Sequence, residues 1–216
     1  MKNTSLKIGL IGLSGRMGQT ILKKINQTSG LSFVDSYGTA SVLIDFSNVN
    51  SIKKNIEIAL TNSTPLVIGT TGLREPDFLL LREASKKIPV FHSSNMSEGM
   101  AAFKTLVSEA AKKLGENASV EIIETHHIHK MDTPSGTAIL LKEMLPLERG
   151  VKVTSIREGE VMGEHKVIFS VGSEIIELTH KAGNREIFAT GALKAAKWLI
   201  LQKPGYYSMD DALDAT

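Results

Sequence analysis

The chain contains no cysteine. That excludes disulfides, thiolate metal sites and a cysteine nucleophile, and it fits a reducing cytosol. Excess charge of either sign is also missing. Lys and Arg number 25 against 23 Asp and Glu, a formal net charge of +2, so no bulk field calls for nucleic acid or an anionic membrane. Nothing approaches the roughly 18 uninterrupted apolar residues of a membrane span. The opening stretch MKNTSLKIGLIGLSGR has a short apolar segment, broken by Gly9 and Gly12 and ended by Arg16, which does not suit a signal peptide. No repeat at solenoid periods and no low-complexity linker is seen. The expectation is a cytoplasmic protein without nucleic-acid or membrane partners. What is present is ordinary for a globular chain, with 42% hydrophobic and 22% charged residues over 216 positions. That length allows one large domain or two small ones with a real core.

Strand and helix patterns alternate in the first part of the chain. Residues 6–11 form a short apolar run ending in glycine, and Met17, Ile21, Leu22 and Ile25 follow at helical spacing. Strands are expected over 31–34 and 42–46, a helix over 49–60, a strand at PLVIG, a helix over 75–87 and a strand at PVFHS. This alternation predicts an α/β fold with a Rossmann-like, doubly wound parallel sheet. After Asn95 the pattern changes. A helix over 97–114 leads to the strand SVEIIETHH, and HKVIFSV and EIIELTH are separated by Gly172-Ser173, a two-residue hairpin turn. These predict a second, α+β domain with a mainly antiparallel sheet. A last helix over 189–201 returns to the first sheet. The expected division is 1–95 with 186–216 as a dinucleotide-binding domain, and 96–185 as a substrate-binding and oligomerisation domain.

GLIGLSGRMG places Gly12, Gly15 and Gly18 between the first strand and first helix. Glycines there let the backbone turn tightly and approach a pyrophosphate at the helix N-terminus. Ser14 stands where the strict fingerprint has its middle glycine, so the pattern is the looser G-x-x-G-x-x-G, and a ligand-free glycine turn remains an alternative. Asp35 is the local candidate for a ribose contact, with a solvated strand end as the competing reading. A second loop, GTTG at 69–72, falls where ligands of doubly wound folds bind.

The stretch THHIHKMDTPSGTA, at 125–138, collects three of the six histidines beside Lys130. Alternation along a strand sends His126 to one face and His127 to the other, and continued extension would put His129 with His127. Ordinary structural histidines are one reading. A zinc site on His127-x-His129 is another, opposed by the charge of Lys130 and by the lack of a clear third ligand. The third is acid–base chemistry with anion binding, since imidazole titrates near neutral pH and an ammonium can donate a proton or neutralise a carboxylate. Pro134 sets a turn, Ser135 suits an N-cap, and Ala138, Leu141, Met144 and Leu145 give the next helix an apolar stripe. The amides of Ser135, Gly136 and Thr137 should then be unpaired at a helix start, which is an anion site. This favours a small carboxylated substrate that needs a proton, next to a dinucleotide domain that supplies hydride.

With these residues in place, the sequence resembles the 4-hydroxy-tetrahydrodipicolinate reductase (dihydrodipicolinate reductase) family over nearly its whole length. The most specific match is THHIHKMDTPSGTA against the family's E-x-HH-x-x-K-x-D-x-PSGTA signature, beginning at Glu124. GLSGRMG, IDFS, GTTG, SSNMS, GEH at 163–165 and LTHKAGNR at 178–185 support it. The resemblance implies hydride transfer from NADH or NADPH to the dipicolinate ring, in diaminopimelate and lysine biosynthesis. It puts His126 and Lys130 in the acid–base positions. His127, Ser135, Gly136, Thr137 and Arg185 match contacts to a small dicarboxylate substrate. Gly12, Leu13, Ser14, Gly15, Arg16, Met17, Phe46, Gly69, Thr70, Thr71, Ser93, Ser94, Asn95 and Met96 match cofactor contacts, and no metal is implied. It also implies a homotetramer joined through the second domain's sheets. Three departures stand out. A segment between the second strand and VLIDFS is nearly absent, Gly38 occupies the usual place of an acidic ribose contact, and Met96 stands where an aromatic often borders the nicotinamide. The alternatives are another Rossmann-type NAD(P)-dependent dehydrogenase of a small carboxylated substrate, a zinc hydrolase, and a non-catalytic nucleotide sensor.

Overall fold

The computed structural model describes residues 5–145 and 150–214. They divide into two compact units, the first running to Glu98 and resuming at Arg185, the second spanning Gly99–Asn184.

In the first unit the chain runs through β1 (Leu6–Ile11), α1 (Arg16–Gln27), β2 (Leu31–Phe33), β3 (Val42–Asp45), α2 (Ile52–Thr61), β4 (Leu66–Ile68), α3 (Glu75–Ser85) and β5 (Pro89–His92). The later segment adds α6 (Glu186–Leu199), β10 (Gly205–Tyr207) and α7 (Met209–Asp214). The six strands form one parallel sheet in the order β10-β5-β4-β3-β1-β2, a Rossmann-like architecture. Consecutive apolar positions explain the strands. All residues of β3 and β4 are buried, as in a sheet covered on both faces. One side of the core joins Leu43, Leu66, Ile68 and Val90 to Ile52, Ile56 and Leu81 of α2 and α3. α6 buries Ala189, Gly191, Ala192, Ala195, Ala196 and Leu199. This small-residue face lets the helix approach closely, and a Cβ on Gly191 would collide with the carbonyl of Met96.

Some boundaries differ from the sequence pattern. The helix expected from Val49 opens with a single 3-10 turn, Val49–Ser51, in which Asn48 accepts from the Asn50 amide. The last helix runs Glu186–Leu199, starting ahead of the expected Ala189 with three residues that are only half-buried and ending two residues before the expected 201. The three-residue β10 carries too little pattern to be recognised.

The second unit contains α4 (Glu98–Leu114), β6 (Ser119–His126), α5 (Gly136–Glu143), β7 (Lys152–Arg157), β8 (Glu164–Val171) and β9 (Glu174–Lys181). Its sheet runs β7-β6-β8-β9. β6–β8 and β8–β9 are antiparallel, whereas β7, missed in the sequence, pairs parallel to β6. The hairpin turn is the expected Gly172-Ser173, with Val171 opposite Glu174 and Gly172 at φ 58, a left-handed conformation suited to glycine. β6 alternates strictly, with Val120, Ile122, Glu124 and His126 buried on one face. Val120, Ile122, Val167 and Phe169 meet Met100, Phe103, Val107 and Ala111 of α4, and Ala138 and Leu141 of α5. Truncating fully buried Phe169 to Ala would cost about 3–5 kcal/mol.

Candidate active site

The first unit builds a nucleotide-sized groove around its glycine loop. Gly12 follows β1 at φ +84, and a Cβ there would lie 2.7 Å from the Phe46 carbonyl oxygen and 2.8 Å from the Ser47 nitrogen. Only glycine lets the loop pass the end of β3 at this distance. The Gln19 side chain donates to the Leu13 carbonyl at 2.7 Å. Gly15 caps α1 without a side-chain bond, and no acid occupies the first turn, so the amide end carries no anion of its own.

Two cavities flank the loop. One, of about 510 Å³, is lined by Gly15, Arg16, Met17, Phe46, Ser47, Gly69, Thr70, Thr71, Ser94, Asn95, Met96, Arg185 and Phe188. The other, of about 440 Å³, is lined by Leu10, Gly12, Leu13, Ser14, Gln19, Phe33, Val34, Asp35 and Tyr37. Two compartments on either side of a glycine loop at a helix start fit the halves of a dinucleotide, with the pyrophosphate at the loop. Fully buried Asp45 ties the rim together. It accepts from the Ser47 amide at 2.8 Å, the Thr70 hydroxyl at 3.2 Å and the Asn55 amide group at 2.8 Å.

The second unit gathers the expected proton carriers at the end of β6. Glu124 is wholly buried. One carboxylate oxygen meets His126 Nδ1 in a short hydrogen bond. The other accepts from Arg157 Nη2 at 2.8 Å and from the Ser135 amide at 3.2 Å. Burial pushes the Glu124 carboxyl up, but hydrogen bonds from Arg157, Ser155 and His126 outweigh it and hold the group at about 2. His126 is drawn below its usual value, chiefly by burial. Lys130 and Arg157 add to this, against the raising effect of Glu124. His165 stands edge-on to His126 at 5.2 Å and takes part in a 3.2 Å hydrogen bond with Ser135 Oγ. Burial lowers it to about 4, so it is neutral at pH 7.

The strand ends at His126, and a turn follows in which the Lys130 amide donates to the His127 carbonyl at 3.1 Å. The expected extension to His129 is therefore not realised. The His127 and His129 rings are tilted with centroids 6.2 Å apart, His129 lies near Glu160 at 3.8 Å, and Lys130 pairs with Asp132 at 2.8 Å. Among the described residues no three His, Cys, Asp or Glu side chains gather as a metal site.

Ser135 caps α5 as expected, its hydroxyl accepting from the Ala138 amide at 3.2 Å. The expectation of unpaired amides at this helix start needs correction. The Ser135 amide is held by Glu124, and the Gly136 amide faces the Asp132 carboxylate. That carboxylate lies below its usual value despite some burial, through Lys130 and this backbone contact. Internal carboxylates already answer the positive helix end.

The structure thus groups His126, Lys130, Ser135 and Gly136 in the second unit, with Thr137 in the first turn of α5. His127 follows β6 with its Nδ1 buried and unpartnered among the described residues. Arg185, expected at the substrate, belongs to the first unit and lines the larger cavity there. Ser93 lines neither cavity; its hydroxyl donates to the Asn95 carbonyl at 2.7 Å and shapes the loop. Met96 is 1% exposed yet reaches the larger cavity, where Phe46 and Phe188 supply aromatic surface. Asp35 lines the smaller cavity and Gly38 does not. Sequence reasoning missed Arg157, Ser155, Ser47 and Phe188, and it gave His165 no role. Strand alternation from Glu124 to His126 was the one available signal for the shared polar face.

The chain matches the family models for the N-terminus of dihydrodipicolinate reductase over residues 32–96 and for its C-terminus over residues 99–213. It is 42% identical to a 4-hydroxy-tetrahydrodipicolinate reductase of Zymomonas mobilis subsp. mobilis, covering 98% of each chain. That match runs over 250 aligned positions, more than the 216 residues here, so the relative carries segments that this chain lacks. A second reductase of that name, from Rickettsia rickettsii, is 40% identical over 95% of this chain and 98% of its own. Among solved structures, a dipicolinate-bound dihydrodipicolinate reductase from Paenisporosarcina sp. TG-14 superposes with a TM-score of 0.78 at 19% identity, covering 96% of this chain and 99% of that one. By both family models and near-full-length identity, the chain belongs to the dihydrodipicolinate reductase family.

Proposed function

We propose that this chain is an NAD(P)H-dependent 4-hydroxy-tetrahydrodipicolinate reductase, yielding tetrahydrodipicolinate on the route to diaminopimelate and lysine. The observation that carries the mechanism is the cluster at the end of β6. There a buried carboxylate holds an imidazole beside a lysine and a capped helix start. The glycine loop and its two cavities fit a nicotinamide dinucleotide, which supplies hydride when bound. Arg16 and Arg185 provide positive charge in the larger cavity.

His126 and Lys130 are the proton carriers in this reading. The substrate's carboxylates engage His127, Thr137 and the start of α5 in the second unit. One substrate carboxylate displaces Asp132 from Lys130 and the Gly136 amide. Asp132 is exposed enough to move, with its side chain 55% accessible. Asp35 is the only charged side chain in the lining of the smaller cavity. An anion there accepts from a ribose hydroxyl and repels a 2′-phosphate, so NADH is the favoured donor.

The reading further places the enzyme in the cytoplasm, as the cysteine-free composition suits. It makes the protein a homotetramer joined through the second unit's sheet, where Ile175 and Ile176 of β9 are 67% and 42% exposed.

The test is loss of NAD(P)H absorbance with freshly generated 4-hydroxy-tetrahydrodipicolinate, comparing NADH with NADPH. Turnover with NADH ahead of NADPH is expected, and no oxidation of either would overturn the assignment. His126→Ala and Lys130→Ala should each lower kcat by about 10²- to 10⁴-fold. Wild-type turnover in both would remove these residues from the chemistry.

A further inference from the structure

We infer that Glu124 is the positioning residue of the proton transfer: its buried carboxylate fixes the His126 ring through Nδ1 and presents Nε2 to the substrate, while Arg157 and Ser135 hold the carboxylate in place. The inference rests on the reading of His126 as the proton donor and adds the group that orients it.

The register of three strands carries the argument. In β6, Val120 and Ile122 face the core, and the next two positions on that face are Glu124 and His126. In parallel β7, Val153 packs on the core. The following positions on its face, Ser155 and Arg157, are the Cα partners of Glu124 and His126. In antiparallel β8, Val167 and Phe169 lie in the core, and His165 pairs with Glu124. Three neighbouring strands therefore change from aliphatic to chargeable side chains at one level of the sheet. A carboxylate needed only to join strands would be balanced by Arg157 alone. Here the same group also holds an imidazole and the amide of the helix cap.

Glu124, while ionised, can only accept, so Nδ1 of His126 is the donor and Nε2 is the free nitrogen. Around that nitrogen space has been kept open. A Cβ on Gly163 would lie 3.0 Å from Nε2. In the step itself the Nε2–H bond breaks, the proton passes to the substrate atom made electron-rich by hydride addition, and the bonding pair returns to Nε2. Solvent reprotonates the ring afterwards. Glu124 stabilises the imidazolium from which the proton leaves, as carboxylates do for imidazoles in other acid–base sites. The groups facing the ring are Glu124 on β6, Lys130 in the following turn, Arg157 on β7 and His165 on β8. Of these only Glu124 is negative.

The test combines two variants with a readout on the ring. Glu124→Gln removes the charge and keeps the shape. Glu124→Gln with Arg157→Met removes both charges, so that no unpaired ion stays buried and folding is preserved. In 15N-histidine-labelled protein His126 should titrate lower in Glu124→Gln than in wild type, and less far lower in the double variant, which also loses the lowering effect of Arg157. In both, its Nδ1–H tautomer should lose dominance. In turnover with NADH, kcat at pH 7 should fall by about 10- to 100-fold, and its decline with rising pH should move to lower pH. KM for the substrate should stay within about threefold, because uniform binding is untouched. Unchanged His126 titration and tautomer in both variants would overturn the inference. So would a kcat loss that tracks melting temperature with an unmoved pH profile. The two readings fail separately. Full turnover by His126→Ala removes the role of His126, whereas an unmoved His126 ring in Glu124→Gln removes that of Glu124.

Discussion

Among the described residues, each unit of the molecule buries one carboxylate completely, and the two are partnered in opposite ways. Asp45, in the first unit, is met by a backbone amide, a threonine hydroxyl and an asparagine amide group, all neutral donors. Glu124, in the second, is met by a guanidinium and an imidazole. Neutral donors cannot exchange charge with their acceptor, so the Asp45 network holds geometry: it locks Ser47 and Thr70, which line the larger cavity. A carboxylate facing an imidazole does more, because each alters the proton affinity of the other. One buried acid braces a binding loop, and the other is coupled to a proton.

The sharpest way to break this comparison is Asp45→Ala. It leaves the Ser47 amide, the Thr70 hydroxyl and the Asn55 amide group short of an acceptor in a buried setting, at a cost of about 3–5 kcal/mol. The melting temperature should fall and NADH should bind more weakly, while the pH dependence of kcat stays where it is. A moved pH profile in the surviving folded enzyme would put Asp45 in the same class as Glu124.

Acid titration separates the units next. His92, in the first unit, is lowered to about 4 by burial, and His165, in the second, likewise to about 4. An unfolded histidine binds its proton near 6.5, so as pH falls from 6.5 to 4 the unfolded chain takes up protons that the folded one refuses. Both units lose stability in this window, by about 3 kcal/mol per histidine. Glu124 acts lower and only in the second unit. Its stabilisation is complete above about 4.5 and is lost as pH falls toward about 2. The chain has one tryptophan, Trp198, packed edge-on against Phe91 and Tyr207, and its fluorescence reports the first unit. Urea titrations at pH 7, 5.5, 4 and 3 should show the first unit's midpoint levelling off below pH 4 while that of the second, followed by its histidine resonances, keeps falling. Parallel curves down to pH 3 would erase the distinction.

How much of this was legible in the sequence follows the same division. The parallel sheet was, because β4 and the first three residues of β3 are aliphatic runs and the loops after β1 and β4 carry glycine. β7 was not. KVTSIR is only partly buried along its length, so it lacks the contrast that marks a strand. With β7 went Arg157, which is 33 positions from Glu124 in the chain and 2.8 Å away in space. The histidines, Lys130 and the Ser135 cap could be read because they share one segment. The electrostatics could not, since a single sequence shows neither that Glu124 answers the Ser135 amide nor that Asp132 answers that of Gly136. Those carboxylates occupy amides that the cap motif alone leaves open.

The finest test concerns two glycines that each make room beside one of these carboxylate systems. At Gly12 a Cβ meets backbone at 2.7–2.8 Å with φ at +84, so neither the neighbour nor the torsion can give way cheaply. At Gly163 the nearest atom is His126 Nε2, at 3.0 Å, the tip of a side chain that can rotate by a few degrees. Gly163→Ala should therefore fold with a melting temperature close to wild type. The ring, however, is held at Nδ1 by Glu124, and turning it to relieve the contact stretches that bond and re-aims Nε2. A misaimed donor costs rate rather than stability. We expect kcat to drop about tenfold, roughly 1.4 kcal/mol in activation free energy, with KM little changed. Combining Gly163→Ala with Glu124→Gln should then cost less than the product of the two effects, because a ring no longer tethered can move aside. Full multiplicativity would mean that Gly163 and Glu124 act on the reaction independently, and that the ring is not the element they share.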